Sequence, residues 1–120
     1  MFDEVKFEMA EKMPGPVQPK SLSFQTKDFG CELDLFRIKA DGSLTRAEPP
    51  QWTETIVAFH GMLRFYRFEG GYSSNDGMWF EYEAKFTDGK CVDVHCIEIA
   101  KHPYGKPRVV VFSTREGATP

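Results

Sequence analysis

The sequence has no uninterrupted apolar stretch long enough to cross a membrane as a helix. Its first ten residues, Met1 to Ala10, carry acidic side chains where a secretory signal peptide would carry a basic stretch followed by an apolar one. These two absences disfavour the usual membrane-protein and secretory patterns. We therefore expect a cytoplasmic protein that makes no contact with a membrane.

The sequence also has few cysteines and no strong excess of charge. Cys31, Cys91 and Cys96 are an odd number in a chain with enough apolar residues for a core, so we expect buried, reduced thiols instead of a disulfide framework. The 15 basic and 18 acidic side chains leave a formal charge of -3, without the basic footprint typical of nucleic-acid binding. This charge disfavours nucleic acid as a partner.

Aromatic and other apolar residues, in contrast, are abundant. The chain is 41% hydrophobic and contains 11 phenylalanines among 120 residues, a composition that favours half-buried strands. The length fits one domain. We place a single β-rich domain at 1–120, with a proline-rich surface loop at 13–20 and a frayed tail at 116–120.

Asp-Gly pairs mark the turns of this chain, because both residues tolerate the positive φ that tight hairpins require. They stand at positions 41–42, 76–77 and 88–89. A three-residue loop at the first pair predicts that Ile38 lies opposite Leu44. The middle pair ends a Gly- and Ser-rich segment, 70–77, which we expect to be a mobile loop.

A three-residue loop at the last pair gives the second hairpin its predicted register. Ala84 would face Val92, and residues 80 and 82 would face 96 and 94. In this register Phe80, Tyr82 and Ala84 lie on the core face, and Trp79 leads the outer face. A change of apolar phase near Leu35-Phe36 indicates a bulge or a strand covered on both faces, and we favour the bulge. A second change predicts a bulge or twist near His95-Cys96.

The strand pattern as a whole predicts an all-β fold. Roughly seven or eight strands with short connections and little or no helix indicate a single-domain antiparallel β-sandwich or a curled, partly open barrel built from hairpins. Self-pairing of an edge strand between two chains stays open at this point.

Four segments carry a resemblance to a known group of proteins. They are Phe24 to Asp28 (FQTKD), the turn from Ile38 to Leu44, His60 to Tyr66 (HGMLRFY) and Trp79 to Gly89 (WFEYEAKFTDG). Together they resemble a family of small uncharacterised β-rich proteins of bacterial and phage genomes. The resemblance implies an accessory protein encoded near prophages or mobile elements, and it implies no activity for particular residues.

The richest candidate site is a recognition face on the second half of the chain. Trp, Tyr and Arg dominate interface hot spots because they bury a large area and keep a polar end. The predicted partner-binding residues are Trp79, Tyr66, Arg64, Arg67, Trp52, Tyr72, Glu81 and Glu83. The alternative for Trp79 is ordinary packing under a loop, and the two readings are equally supported.

Metal binding and catalysis have weaker support. Cys91 and Cys96 would project to opposite faces of a regular strand, and only a bulge would bring them together with His95 as zinc requires. Glu81 and Glu83, with Asp93 nearly opposite, would form a carboxylate cluster that a solvated face with neighbouring basic residues also explains. We expect no metal, no cofactor and no catalytic residue.

These observations favour a non-enzymatic cytosolic interaction protein with a protein partner. The mobile-element resemblance suggests a phage or prophage accessory protein that inhibits a host defence factor by binding and occluding it. The alternative is a small-molecule-binding or hydrolytic β-domain whose pocket combines His60 and His95 with Glu81 and Glu83. Single-stranded nucleic-acid binding is a third reading, weakened by the few basic residues beside the rings.

Overall fold

A computed structural model describes residues 2–70 and 76–114 of the chain. The described residues form nine β-strands and one 3-10 turn, Ala10–Lys12. The strands are β1 (Asp3–Phe7), β2 (Ser23–Thr26), β3 (Leu35–Ile38), β4 (Leu44–Ala47), β5 (Glu54–Ile56), β6 (Gly61–Glu69), β7 (Asp76–Thr87), β8 (Lys90–Pro103) and β9 (Val109–Ser113). In this part of the chain no helix is long and apolar enough to cross a membrane.

The nine strands belong to one sheet in the order β5-β4-β3-β1-β2-β6-β7-β8-β9. The sheet curls without closing into a barrel, so the expected all-β class is confirmed. One expectation is wrong, because the sheet is mixed: β1 and β3 run parallel while the other neighbours are antiparallel. The chain leaves β2 on one side of β1 and returns as β3 on the other side.

The carboxylate of Asp3 fixes this return. Asp3 is 1% exposed, and its oxygens accept hydrogen bonds from the backbone N–H groups of Cys31, Glu32 and Asp34 at 2.9 to 3.0 Å. Buried backbone donors require such partners. The first residue of β1 thereby holds the loop that precedes β3.

The core lies on the concave side of the curled sheet. Phe65 is completely buried, and its ring centroid lies 5.9 Å from that of Phe7, 5.0 Å from Phe24 and 5.8 Å from Tyr82. These four aromatic rings come from β1, β2, β6 and β7. Since a strand places every second side chain on one face, the alternating apolar residues of all four strands meet in one cluster.

The proline-rich segment 13–20 covers part of this core. Met13 is 7% exposed, and a Cβ atom built on Gly15 would lie 3.2 Å from Ile99 Cδ1. Gly15 has φ +108°. The segment is thus an outer loop, as predicted, that also shields core side chains from solvent.

The first Asp-Gly hairpin has the predicted register. Ile38 pairs with Leu44, and the backbone N–H of Lys39 donates to the carbonyl of Ser43 at 2.8 Å. Gly42 occupies the left-handed region with φ +90°. The predicted bulge near Leu35-Phe36 is wrong, because β3 pairs regularly from Leu35 onward and Leu33 lies before the strand with φ +63°.

The last Asp-Gly pair forms a two-residue turn instead of the predicted three-residue loop. Asp88 and Gly89 have φ +49° and +82°, and Thr87 pairs with Lys90. Positive φ at both central residues is typical of the type I′ hairpin, whose twist matches that of the strands. The register prediction is wrong by two residues at Ala84, which faces Val94: the shorter turn accounts for one residue and a bulge in β8 for the other.

Two register shifts interrupt the pairing of β7 with β8. The first lies between Lys85 and Phe86, and it leaves Val92 as the extra residue of β8. The second lies between Glu81 and Tyr82, where Tyr82 pairs with Cys96 and Glu81 pairs with Glu98. The second shift confirms the predicted bulge near His95-Cys96. Asp76 and Gly77 already belong to β7, and the rest of the predicted loop, 71–75, lies outside the described residues.

The curl of the sheet brings the tips of the two Asp-Gly hairpins together. Ser43 and Lys90 form an isolated antiparallel bridge, and the Cys91 N–H donates to the carbonyl of Gly42 at 2.7 Å. The Gly89 N–H donates to the carbonyl of Phe59 at 2.8 Å. One end of the core is closed by these turn-to-turn contacts.

Asp41 in the first turn provides a pH test of this local structure. The Ser43 hydroxyl and backbone N–H donate to Asp41 Oδ1 at 2.6 and 2.9 Å, and these bonds lower the pKa of Asp41 from 3.8 to about 2. These bonds stabilise the turn fully at pH values above 3.8, the ordinary pKa of the group, and this stabilisation is lost as the pH falls through about 2 and Asp41 is protonated.

In an NMR titration we expect Ser43→Ala to raise the midpoint pH of Asp41, because one of the two hydrogen bonds is lost. Ser43→Thr serves as the control that retains the hydroxyl. An unchanged midpoint in Ser43→Ala would contradict the assignment.

Candidate functional site

The sheet has an outer face, opposite the core, that the regular pairing of β6 with β7 defines. Arg64 pairs with Glu83, Tyr66 with Glu81, and Phe68 with Trp79. The intervening apolar residues Phe65, Phe80 and Tyr82 are buried. The alternation therefore places these six partners together on the outer face.

Trp79 is anchored on this face by two neighbours. Its ring stacks on Tyr66 with centroids 5.1 Å apart and an interplanar angle of 21°, and its Nε1–H donates to Glu81 Oε1 at 3.2 Å. Partial burial raises the pKa of Tyr66. The aromatic pair is half-buried and held by these two contacts, and side chains ordered before binding lose less entropy when a partner covers them.

The carboxylates beside this pair are bound to basic side chains. Arg64 Nη2 lies 3.2 Å from Glu83 Oε2, and Arg64 Nη1 lies 3.6 Å from Glu81 Oε2. His95 Nε2 lies 3.3 Å from Glu83 Oε1. Arg64 thus offsets part of the charge of the predicted carboxylate cluster, and Asp93 is the register partner of Lys85 further along β7.

Arg67 lies on the opposite side of the sheet from Arg64. It pairs with Phe80, it shares the phase of Phe65, and its Nε lies 2.7 Å from Glu69 Oε2. Its Nη1 also donates to the carbonyl of Ser23 at 3.0 Å. Its side chain therefore points away from that of Arg64, because residues three apart on a regular strand face opposite sides, although Arg67 also lines the second of the depressions described below.

Trp52 lies apart from Trp79, on the other half of the outer side. It is 50% exposed with φ +57°, and it lines a depression of about 310 Å³ together with Phe2 and Leu33. Leu33 is 54% exposed and Phe2 38% exposed. Left-handed backbone at two bulky residues of one site is costly, and such strain concentrates at functional sites. Tyr72, which was predicted to join this surface, lies outside the described residues.

Three depressions connect the two tryptophans across the strands. The first, beside Trp52, shares Phe2 and Glu4 with a second of about 270 Å³ that is also lined by Tyr66 and Phe68. Phe68 in turn lines a third depression of about 390 Å³ beside Trp79. We call this continuous surface the outer-face band; its principal side chains are Trp52, Leu33, Phe2, Tyr66, Phe68 and Trp79.

The sequence did not point to Phe2, Leu33 or Phe68 as surface residues. Phe68 is 52% exposed and packs edge-on against His102 with ring centroids 5.6 Å apart. Its even-numbered position on β6, like those of Arg64 and Tyr66, could have predicted that it lies on the outer face. Phe2 and Leu33 had none, because their contact depends on the order of strands in the sheet.

The two histidines of the alternative hydrolytic site do not converge. His60 lies at the tip of the β7–β8 hairpin, where its Nδ1 accepts the N–H of Asp88 at 3.3 Å. His60 directly precedes Gly61, the first residue of β6, which pairs with Phe86. His95 pairs with Glu83, three residues before Phe86 on β7. At about 3.3 Å per residue, the two histidine positions lie roughly 10 Å apart along the sheet, which is too far for both side chains to act on the same proton.

The cysteines show no grouping with other metal-binding side chains. Among residues 2–70 and 76–114, no three His, Cys, Asp or Glu side chains gather as a metal site would require. Burial raises the pKa of Cys91 and raises that of Cys96 to about 11. Both thiols therefore stay protonated near neutral pH, and a protonated thiol is a poor nucleophile.

Cysteine labelling tests this assignment. Cys31 is partly exposed, whereas Cys91 and Cys96 are 8% and 4% exposed. With an aromatic disulfide reagent at pH 8 we expect one thiol per chain to react rapidly in the folded protein and all three in denaturant. The rapid phase should vanish in Cys31→Ser and persist in Cys91→Ser. Rapid reaction of Cys96 would contradict the buried placement.

The comparisons with known proteins add no family assignment to this geometry. No family model, no curated protein and no solved structure matches the chain.

Proposed function

We propose that the chain is a non-enzymatic interaction protein that binds a protein partner through the outer-face band. The observation that carries the proposal is the continuity of the three depressions from Trp52 to Trp79. Large apolar side chains that stay half exposed along a connected surface are typical of interaction sites. Trp and Tyr are the residues most enriched at binding hot spots.

The charges along the band favour protein over nucleic acid as the partner. Glu4 lines the first two depressions, and Glu81 and Glu98 line the third. Arg67 and Arg108 line the second and third depressions, and each is ion-paired with a carboxylate of the chain itself. This balance gives little attraction for phosphate groups, since nucleic-acid affinity comes largely from basic side chains on the backbone phosphates. A protein surface can present both apolar and basic groups to the same band.

The more concrete version is a phage or prophage accessory protein, acting in the cytoplasm, that inhibits a host defence factor by covering its working surface. Its support is the resemblance of the four segments quoted above, which span most of the chain from Phe24 to Gly89. The outer-face band is compatible with this role, because occlusion needs only a broad binding surface and no catalytic group.

Affinity capture from a bacterial lysate tests the proposal. The band variant replaces three exposed side chains at once: Phe2→Ser, Trp52→Ala and Phe68→Ser. The matched control replaces three exposed apolar side chains outside the band: Ile56→Ser, Met62→Ser and Val92→Ser, which are 81%, 44% and 58% exposed.

We expect the wild type and the control variant to recover the same protein in near-stoichiometric amount, and the band variant to lose it. A purified partner that has an activity should be inhibited at one equivalent of the chain. The proposal would be contradicted if the folded band variant still recovers the partner. It would also be contradicted if neither the folded wild type nor the folded variants recover any protein.

A further inference from the structure

The nine-stranded sheet ends at β9, and this edge carries three exposed valines. In the described part of the chain β9 pairs with β8 alone, whereas every strand between β5 and β9 in the sheet has two neighbours. Val109, Val110 and Val111 are 51%, 45% and 39% exposed. A strand at the edge of a sheet presents backbone N–H and C=O groups that can pair with one further strand. The chemistry of this edge therefore suits a β-strand as its ligand.

The two edges of the sheet differ in how they are protected. Natural edge strands avoid further pairing by being short, by carrying charges or by containing a bulge. At the opposite edge β5 has only three residues, and its Glu54 carboxylate forms an ion pair with Lys39 at 3.0 Å. β9 has five residues and no charged side chain. Its protection is limited to the register shift that leaves Val111 without a partner on β8.

We propose that β9 pairs with β9 of a second copy of the chain, in the antiparallel direction, across a two-fold axis at Val111. In this register Val111 stands opposite its own copy, and Val110 stands opposite Phe112. Val109 stands opposite Ser113. The same patch on both copies then forms the interface, as two-fold symmetry requires. This inference goes beyond the proposed function and does not depend on it.

The side chains of β9 favour a second copy as the occupant of this edge. When identical strands pair around a two-fold axis, a charge on the strand lies close to the same charge on its copy, and the two repel. Residues 109–113 carry no charge, and valine on valine is a favourable cross-strand contact. Arg108, which precedes the strand, would stand opposite Thr114 and is ion-paired with Glu98 of its own chain.

The proposed pairing has a consequence for the outer-face band. It joins two nine-stranded sheets into one continuous sheet, with the two-fold axis perpendicular to it. The outer faces of both copies then lie on the same side. Two linked bands bind a partner that presents two matching surfaces more tightly than one band does.

Sedimentation velocity of the full-length chain tests the inference. Between about 1 µM and about 1 mM, where small interfaces form and dissociate, we expect the mass to rise from 13.7 kDa toward twice that value. Val111→Lys should weaken the dimer at least about tenfold, because two lysines would face each other at the axis. Ile56→Lys makes the same kind of change on β5, where the side chain is 81% exposed, and should leave association unchanged.

Opposite charges at the axis give a second test that does not depend on loss of association. Val111→Glu alone should stay monomeric for the same reason as Val111→Lys. An equimolar mixture of the two variants should form a heterodimer, because a glutamate then faces a lysine. Far-UV circular dichroism establishes that each variant is folded before it is mixed.

Several results would overturn the inference. They are a wild type that stays monomeric up to about 1 mM, equal weakening by Val111→Lys and Ile56→Lys, or a mixture of the two charged variants that stays monomeric. A monomer whose β9 N–H groups exchange slowly with deuterium would show that the edge is covered within one chain. A dimer lost in the band variant and retained in Val111→Lys would place the contact on the outer face instead. Lysate capture by monomeric Val111→Lys would leave the proposed function intact.

Discussion

Replacing Phe65 by alanine is expected to lower the free energy of unfolding by about 4 kcal/mol, the largest loss for any single change considered for this chain. Phe65 is 0% exposed, and its ring lies within 6 Å of the rings of Phe7, Phe24 and Tyr82. Truncation removes the contacts of this ring with aromatic rings of β1, β2 and β7. The close packing around the ring also prevents the cavity from collapsing.

Phe68→Ala is the matched control on the same strand. Phe68 faces the outer side and is 52% exposed, so its truncation should cost only about 1 kcal/mol. Urea unfolding followed by far-UV circular dichroism measures both variants. Since domains of this size are stable by about 5–15 kcal/mol, Phe65→Ala should unfold well below the urea midpoint of the wild type. Equal losses in the two variants would contradict the assignment of the core face.

Replacing Gly42 by alanine is expected to cost about 3 kcal/mol, from backbone strain and a steric clash together. Gly42 has φ +90°, and a Cβ atom there would lie 3.0 Å from the carbonyl oxygen of Cys91. That oxygen belongs to the backbone, so it cannot rotate away as a flexible side chain could. The clash would also disturb the hydrogen bond from the Cys91 N–H to the Gly42 carbonyl.

Gly105→Ala separates the two causes. Gly105 has φ +69° and no heavy atom within 4 Å of its built Cβ, so only the backbone strain of about 1 kcal/mol applies. The difference between the two urea midpoints isolates the contact between the hairpin tips. If Gly42→Ala and Gly105→Ala lose the same stability, the tips do not meet as described.

Local turn chemistry allowed the faces of the strands to be predicted more reliably than their exact register. At the first hairpin Asp41-Gly42 predicted the Ile38-Leu44 pair correctly. At the second, an Asp-Gly pair fits both a two-residue and a three-residue loop. The wrong choice shifted the register by one residue, and the bulge at Val92 added a second residue at Ala84. The alternation of side chains along β7 does not depend on the register of β8, so the predicted core residues Phe80, Tyr82 and Ala84 are nevertheless buried.

The order of the strands could not be predicted from periodicity. The parallel pairing of β1 with β3 depends on Asp3, whose carboxylate binds three backbone N–H groups some thirty residues away. A contact between residues so far apart in the sequence cannot be predicted from local sequence patterns. The same topology brings Phe2 and Leu33 beside Trp52, so the first depression of the band was invisible in the sequence.

Within the candidate site, the prediction was most accurate where strand alternation applied. Trp79, Tyr66 and Arg64 lie on the outer face as expected, and Glu81 and Glu83 lie beside them. Arg67 has an odd position on β6, so its side chain points away from that of Arg64. The structure thus retains most of the predicted surface and joins it to Trp52 through residues from β1 and β2.

Oxidative footprinting of the chain bound to its captured partner tests the role of the outer-face band most directly. Hydroxyl radicals modify exposed side chains, and mass spectrometry reads each position in the free and bound states. Met62 and Val92 are exposed outside the band and serve as internal references. If the outer-face band binds the partner, we expect Phe2, Trp52 and Phe68 to be protected from oxidation in the complex, while the reference residues keep their reactivity. Protection of Met62 and Val92, with the band unchanged, would contradict it.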